Sequence, residues 1–182
     1  MLTYLCAAGS GVLAWTLAEY LFHRFLGHDK RSQPNPFATE HTAHHSQGDY
    51  FAPGWKKALV AGLAVPVIAL GASALIELDT AFVFASAFAG MYVAYELLHR
   101  RLHTHRGVGP YGRLLRRAHF HHHFVNPSSN HGVTSPLWDV VFGTWKPPQK
   151  IRVPWKLRMS WLVDANETLR ADFASDYELL RP

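Results

Sequence analysis

Residues 80–103, TAFVFASAFAGMYVAYELLHRRLH, join the two features that decide the fold of this chain. Residues 80–98 are largely apolar and carry one charge, Glu96, and the histidine pair His99 and His103 follows directly. A helix over the apolar run at residues 80–98 reaches about 28 Å, close to the ~30 Å thickness of the hydrocarbon layer of a bilayer. The stretch is therefore predicted to be a membrane-spanning helix that ends in metal-ligating side chains.

Two further apolar runs are predicted to span the membrane. Residues 2–22 are charged only at Glu19, and residues 58–76 carry no charge. The alternative for each run is a helix buried inside a soluble protein. Together the three runs predict an all-α fold class, an integral membrane helical bundle.

The basic residues predict the orientation of these spans. All 18 lysines and arginines lie within residues 24–57 or 100–181, and none lies in the turn at residues 77–79. By the positive-inside rule both basic regions are cytosolic. The net charge of +5 is thereby explained without a nucleic-acid partner.

The remaining organisation is predicted as one domain over residues 1–182. A cytosolic metal-binding cap is expected at residues 23–57 and 99–146. A cytosolic or interfacial tail is expected at residues 147–182, with short helices and a strand at residues 150–153. The single cysteine, Cys6, excludes a disulfide framework and a thiolate-rich metal site.

Histidine is unusually abundant, with 13 residues, and histidine is the commonest metal ligand. Ten of them form four boxes: His23 and His28 in HRFLGH; His41, His44 and His45 in HTAHH; His99 and His103 in HRRLH; and His119, His122 and His123 in HFHHH. Such converging imidazoles can enclose two metal ions. The other three, His105, His121 and His131, are expected at the surface or behind the ligands.

Helical spacing explains why these boxes can converge. Residues three and four apart share a helix face, so HTAHH and HFHHH each present three imidazoles on one side. His23 and His28 are five apart, about 140° around an unbroken α-helix. We therefore expect the helix to end at Gly27 and His28 to fold back from the following loop. Glu19 and Glu96 are predicted to accept the second N–H of an imidazole.

The four boxes resemble those of the fatty-acid hydroxylase and sterol desaturase superfamily. The segment from Asn130 to Asp139, NHGVTSPLWD, followed by FGT at residues 142–144, is similar to the closing signature of that family. The resemblance implies an O2-dependent, non-haem di-iron lipid hydroxylase in which all ten box histidines are ligands and Asn130 helps hold a metal-bound water. It further implies two iron ions, which zinc can replace in purified protein. The implied partners are a lipid substrate, O2 and an external small cytochrome or ferredoxin with its reductase.

Several alternatives stay open at this point. A carotenoid ring hydroxylase shares the box architecture, and a membrane metal-binding or transport protein also uses many histidines. A zinc hydrolase is less consistent with the sequence, since it needs about three protein ligands and a general base, as in HExxH.

Overall fold

The computed structural model describes residues 1–181 and divides into two compact units. One unit comprises Met1–Glu19 and Ala52–Leu97, and the other comprises Tyr20–Phe51 and the chain from Leu98 onward. The α-helices of the described chain are α1 (Leu2–Leu21), α2 (Pro36–Gln47), α3 (Gly54–Ala72), α4 (Leu78–Thr104), α5 (Gly109–Phe124) and α6 (Leu137–Val141). Two short strands follow, β1 (Ile151–Pro154) and β2 (Tyr177–Leu180).

Three helices are long and apolar enough to cross a membrane, as predicted. They cover Leu2–His28, Gly54–Ala72 and Leu78–Thr104. The second begins four residues before the predicted run and ends at Ala72, and Pro66 lies inside it without ending it. The third continues six residues past the predicted run, so that HRRLH is helical. The predicted helical membrane architecture is confirmed.

Close contact between α1 and α4 organises the first unit. The ring of Trp15, which is 7% exposed, lies 5.0–5.7 Å from the rings of Phe88, Tyr92 and Tyr95. One helical turn away, a Cβ atom added to Gly11 would lie 2.4 Å from the carbonyl oxygen of Phe84. Gly11 therefore allows a close approach of the two backbones, as small residues commonly do between membrane helices.

We expect Gly11→Ala to destabilise the protein by about 1–3 kcal/mol, because an added methyl group must push α4 away. Gly9→Ala is the matched control, since nothing lies within 4 Å of a Cβ atom at that position. It should be neutral or slightly stabilising, because alanine favours helix more than glycine does. Thermal unfolding in detergent compares the two. Equal melting temperatures would contradict the close packing.

The second unit begins with a π-helix and with helix α2, which is capped at both ends. Phe22–His28 is a π-helix that continues α1. Helix α2 starts with Asn35 as its N-cap, whose side chain accepts a hydrogen bond from the amide of Ala38, and Pro36 takes the first helical position. It ends at Gly48, whose φ of 69° is readily adopted by glycine.

The C-terminal tail contains the hydrophobic core of the second unit. Strands β1 and β2 pair in parallel, with Ile151 opposite Tyr177. The core residues are Phe120, Ile151, Val153, Met159, Trp161, Leu162, Phe173 and Tyr177. Strand β1 lies where a strand was predicted, so the tail adds a small sheet to the predicted all-α class. Helix α5 contributes Phe120 to this core, which fixes the position of the helix that carries HFHHH.

Candidate metal centre

The ten box histidines converge into two groups, both within the second unit. The first histidine group is His23, His28, His41, His45 and His122, and the second histidine group is His44, His99, His103, His119 and His123. Within each group one ring nitrogen per histidine lies within 4.8 Å of the corresponding nitrogens of the others. The stacked rings of His45 and His123, 4.0 Å apart, place the two groups side by side.

Helices α2 and α5 each supply histidines to both groups. On α2, His41 and His45 belong to the first group and His44 to the second. On α5 the assignment is reversed, with His119 and His123 in the second group and His122 in the first. Residues four apart lie almost above one another, whereas the residue between them is rotated by about 100° from its neighbour. Each box therefore directs an i, i+4 pair to one centre and the i+3 residue to the other.

The π-helical segment brings His23 and His28 together. The predicted ending of the helix at Gly27 is wrong, because the helix continues through His28. In a π-helix the hydrogen bonds run from i to i+5, which widens the turn and brings residues five apart toward one face. The two rings lie 5.2 Å apart as a result. Gly27 has a different role: a Cβ atom there would lie 3.0 Å from the ring of His41.

Backbone carbonyl groups orient four of the rings. The Nδ1–H groups of His23, His44, His103 and His122 donate to the carbonyl oxygens of His131 (2.5 Å), Tyr50 (2.7 Å), Gly48 (3.1 Å) and Ser129 (2.8 Å). A carbonyl oxygen can only accept, so Nδ1 carries the proton in each of these rings. The lone pair of each of these rings is thereby on Nε2, as in metal-bound histidines.

Burial keeps these imidazoles neutral. Desolvation first, and neighbouring histidines second, hold the pKa values of His41, His119, His122 and His123 well below the ordinary value, and lower the pKa of His45 to about 3. Within residues 1–181, the Nε2 atoms of His23, His45 and His122 and both ring nitrogens of His123 have no hydrogen-bond partner. Buried polar atoms are rarely left without one. Neutral imidazoles with inward lone pairs are the form that binds a metal.

The nitrogen separations fit metal ligands. The Nε2 atoms of His28 and His41 lie 2.8 Å apart, and Nε2 of His119 lies 2.8 Å from that of His103 and 3.1 Å from that of His99. Two nitrogens bound at right angles to one ion, each at about 2.1 Å, would lie about 3.0 Å apart. All-imidazole groups suit iron, zinc, copper or nickel, so the ligand type alone does not select the metal.

Glu19, Glu96 and Asn130 were predicted to support the metal ligands, and each has a different environment. Glu19 is 5% exposed in α1, and its contact with an imidazole stays a prediction. Glu96 forms an ion pair with Lys57 in the first unit, and its predicted contact with an imidazole stays a prediction. The side-chain amide of Asn130 donates to the carbonyl of Lys146 and accepts from its N–H. Asn130 thus closes a loop at a φ of 56°, and its predicted contact with a metal-bound water stays a prediction.

His131 and Asp139 lie next to the first histidine group, and Asp139 was not predicted from the sequence to support it. His131 is 2% exposed; its carbonyl accepts from His23, and its ring lies 5.3 Å from that of His122. The fully buried carboxylate of Asp139 accepts from the amides of His131 and Gly132 and from the hydroxyl of Thr144. The one sequence feature that could have indicated this role is the position of Asp139 within the closing signature, eight residues after His131.

Of the remaining histidines, His121 is buried outside both groups and His105 is exposed.

The C-terminal tail supports the second histidine group. The indole N–H of Trp161 donates to the carbonyl of His103 at 2.7 Å, and the guanidinium of Arg116 lies 4.1 Å from the centre of the Trp161 ring. The ring of Phe120 lies 4.9 Å from that of His103. These contacts hold the end of α4 at His103.

We expect Trp161→Phe to weaken metal binding at the second histidine group and to cost about 1–3 kcal/mol of folding free energy, because the His103 carbonyl loses its buried donor. Trp155→Phe is the control, since that ring contacts the guanidinium groups of Arg158 and Arg181 instead. Metal content after dialysis against a graded chelator provides the readout. Equal metal retention by the two variants would show that Trp161 does not support the site.

Comparison with known proteins shows similarity to fatty acid hydroxylases. The family model described as Fatty acid hydroxylase matches residues 8–144. The Schizosaccharomyces pombe "Ceramide very long chain fatty acid hydroxylase scs7" is 38% identical over 144 residues, which cover 75% of this chain and 41% of that protein. The Arabidopsis thaliana "Dihydroceramide fatty acyl 2-hydroxylase FAH1" is 30% identical, with 74% and 58% covered.

A human relative and a solved structure agree with these matches. The Homo sapiens "Fatty acid 2-hydroxylase" is 34% identical over 75% of this chain and 38% of its own length. The solved structure, "Full length scs7p (only hydroxylase domain visible)", superposes with a TM-score of 0.62 at 34% identity and covers 81% of this chain and 59% of that chain. The chain therefore spans only about two fifths to three fifths of the length of these relatives.

Proposed function

This chain belongs to the fatty acid hydroxylase family, and from that premise we propose that it is an O2-dependent lipid hydroxylase with two iron ions held by its ten box histidines. The observation that carries the proposal is the sorting of those histidines into two groups of five converging imidazoles. The first histidine group would hold one ion and the second histidine group the other. The pair would supply the two-electron activation of O2 that an unreactive C–H bond requires.

The overall reaction sets what else must reach the site. One oxygen atom of O2 enters the C–H bond, and the other leaves as water after taking up two electrons and two protons. The proposed electron source is an external small cytochrome or ferredoxin with its reductase. The protein's own part is to keep the ligands neutral, to orient their Nε2 atoms through backbone carbonyls and to exclude water by burial.

The proposed substrate is the fatty acyl chain of a membrane lipid, oxidised at carbon 2. The relatives named above support this choice, because their names describe hydroxylation of fatty acyl groups, of ceramide type in two cases. They do not favour the carotenoid ring or metal-transport alternatives. We further propose that the site faces the cytosol, since the basic residues flank the histidine boxes and are absent from the turn at residues 77–79.

Lipid analysis of cells that produce the protein tests this function. We expect 2-hydroxy fatty acids to accumulate, with isotopically heavy oxygen in the new hydroxyl group when the cells grow under heavy O2. A host that also makes carotenoids should show no change in its carotenoids. The His119→Ala/His122→Ala double variant, produced at the same level, is the negative control. Hydroxylated carotenoids with unchanged fatty acids would replace the proposed substrate class.

A further inference from the structure

Helix α6 has its apolar side outward and its charge inward. The exposed fractions of Leu137, Val140, Val141 and the following Phe142 are 44%, 60%, 58% and 47%. Asp139, in the middle of the same helix, is 0% exposed. A helix on the surface of a water-soluble unit shows the opposite arrangement, with charged residues outside and apolar residues in the core.

The inward direction of Asp139 is fixed by its partners. Its carboxylate accepts from two backbone amides and from the hydroxyl of Thr144, and its carbonyl accepts from the amides of Thr144 and Trp145. The helix therefore cannot rotate to bury its apolar side without leaving a charged group and several buried donors unsatisfied. The apolar side is a stable feature of the surface, so it needs an apolar environment.

The position of α6 indicates which environment that is. The ring of Phe142 stacks on Tyr20 at 5.2 Å and 16°, and the Tyr20 hydroxyl is hydrogen-bonded to that of Thr144 at 3.0 Å. Tyr20 belongs to the apolar helix of Leu2–His28, which is long enough to cross a membrane. Further along this helix, the side chains of Phe22 and Phe25 are 46% and 40% exposed. The outer side of α6 is thus continuous with the end of a candidate membrane span.

We propose that α6 and Phe142 form an interfacial membrane contact, in which Leu137, Val140, Val141 and Phe142 insert into the boundary between lipid headgroups and acyl chains beside the end of the first apolar helix. A segment of this kind lies in the plane of the membrane, about 5–10 Å into this boundary. It is too short to cross the bilayer. The contact also approaches the metal centre, because Asp139 holds the amide of His131, whose carbonyl orients His23.

Depth-dependent fluorescence quenching tests this contact. In a Cys6→Ala background, Val141→Cys carries an environment-sensitive fluorophore, and the protein is placed in nanodiscs of phosphatidylcholine with a nitroxide on the upper acyl chain. Val67→Cys on α3, at a position 68% exposed, is the control for lipid contact, and Asn166→Cys in a polar turn is the control for water contact. We expect the nitroxide lipid to quench Val141→Cys at least about twofold relative to Asn166→Cys, as for a residue within the interface.

A second labelled position and an aqueous quencher separate the outcomes. Val140→Cys repeats the measurement, and iodide reports access from water. Emission that iodide quenches and the nitroxide lipid does not would overturn the proposal, because α6 would then face water. Emission that neither reagent quenches would overturn it as well, since a protein partner or a second copy of this chain would then cover α6. The measurement requires no hydroxylase activity, so it is independent of the proposed function.

Discussion

We expect His122→Ala to lose one of two bound metal ions and to lose hydroxylase activity, whereas His121→Ala on the same helix should retain both. Nε2 of His122 points into the first histidine group, and Nδ1 is held by the carbonyl of Ser129. His121 is next in sequence and belongs to neither group. Removal of a supporting residue behind a ligand typically costs about 10- to 100-fold in metal affinity, so removal of the ligand itself should cost more.

His119→Ala provides the companion measurement for the second histidine group. Its Nε2 atom lies within 3.1 Å of those of both His99 and His103, so this centre should lose its ion while the first is retained. Metal analysis and Mössbauer spectroscopy of iron-loaded protein would determine the number of ions and their coupling. We expect coupled iron pairs in the unmodified protein and isolated ions in each variant. Two ions in His122→Ala, or full activity without them, would rule out the proposed ligand set.

We expect Asp139→Asn to destabilise the protein by about 3–5 kcal/mol, the range found when one partner of a buried charged network is removed. The carboxylate accepts from the amides of His131 and Gly132, and an asparagine amide would direct its own N–H groups at one of these donors. Gly132 cannot shift freely, because a Cβ atom there would lie 2.1 Å from the carbonyl of Ser135. Chemical unfolding of the purified protein measures the effect.

The control for this variant is Asp172→Asn. Asp172 forms an ion pair with Arg106 in which both side chains are about half exposed, so its loss should destabilise the protein far less than the loss of Asp139. A second readout follows from the hydrogen bond between His131 and His23: Asp139→Asn should release metal from the first histidine group at lower chelator concentrations. An unfolding free energy equal to that of Asp172→Asn would show that the carboxylate does not hold the loop.

Much of the fold could be predicted because its signals are local. An apolar run of bilayer length needs no knowledge of its neighbours, so the three long helices were found from residues 2–22, 58–76 and 80–98. The clustering of HTAHH and HFHHH follows from helix geometry in the same way. The sorting of His44 away from His41 and His45 depends on which helices lie opposite each other, which periodicity does not contain. The π-helical turn at Phe22–His28 was not predicted, because the angle between His23 and His28 was calculated with α-helical spacing.

The sequence by itself determined the three apolar helices and the arrangement of ten histidines in four boxes, because both follow from composition and from spacing along one helix. Only the tertiary structure decided which histidines share a group and which carbonyls orient them. It also showed that Asp139 holds the loop at His131 and that Trp161 holds the end of α4 at His103. It also turned the apolar side of α6 outward. These features arise from contacts between residues far apart in the chain, and such contacts are fixed by packing and by the satisfaction of buried polar groups.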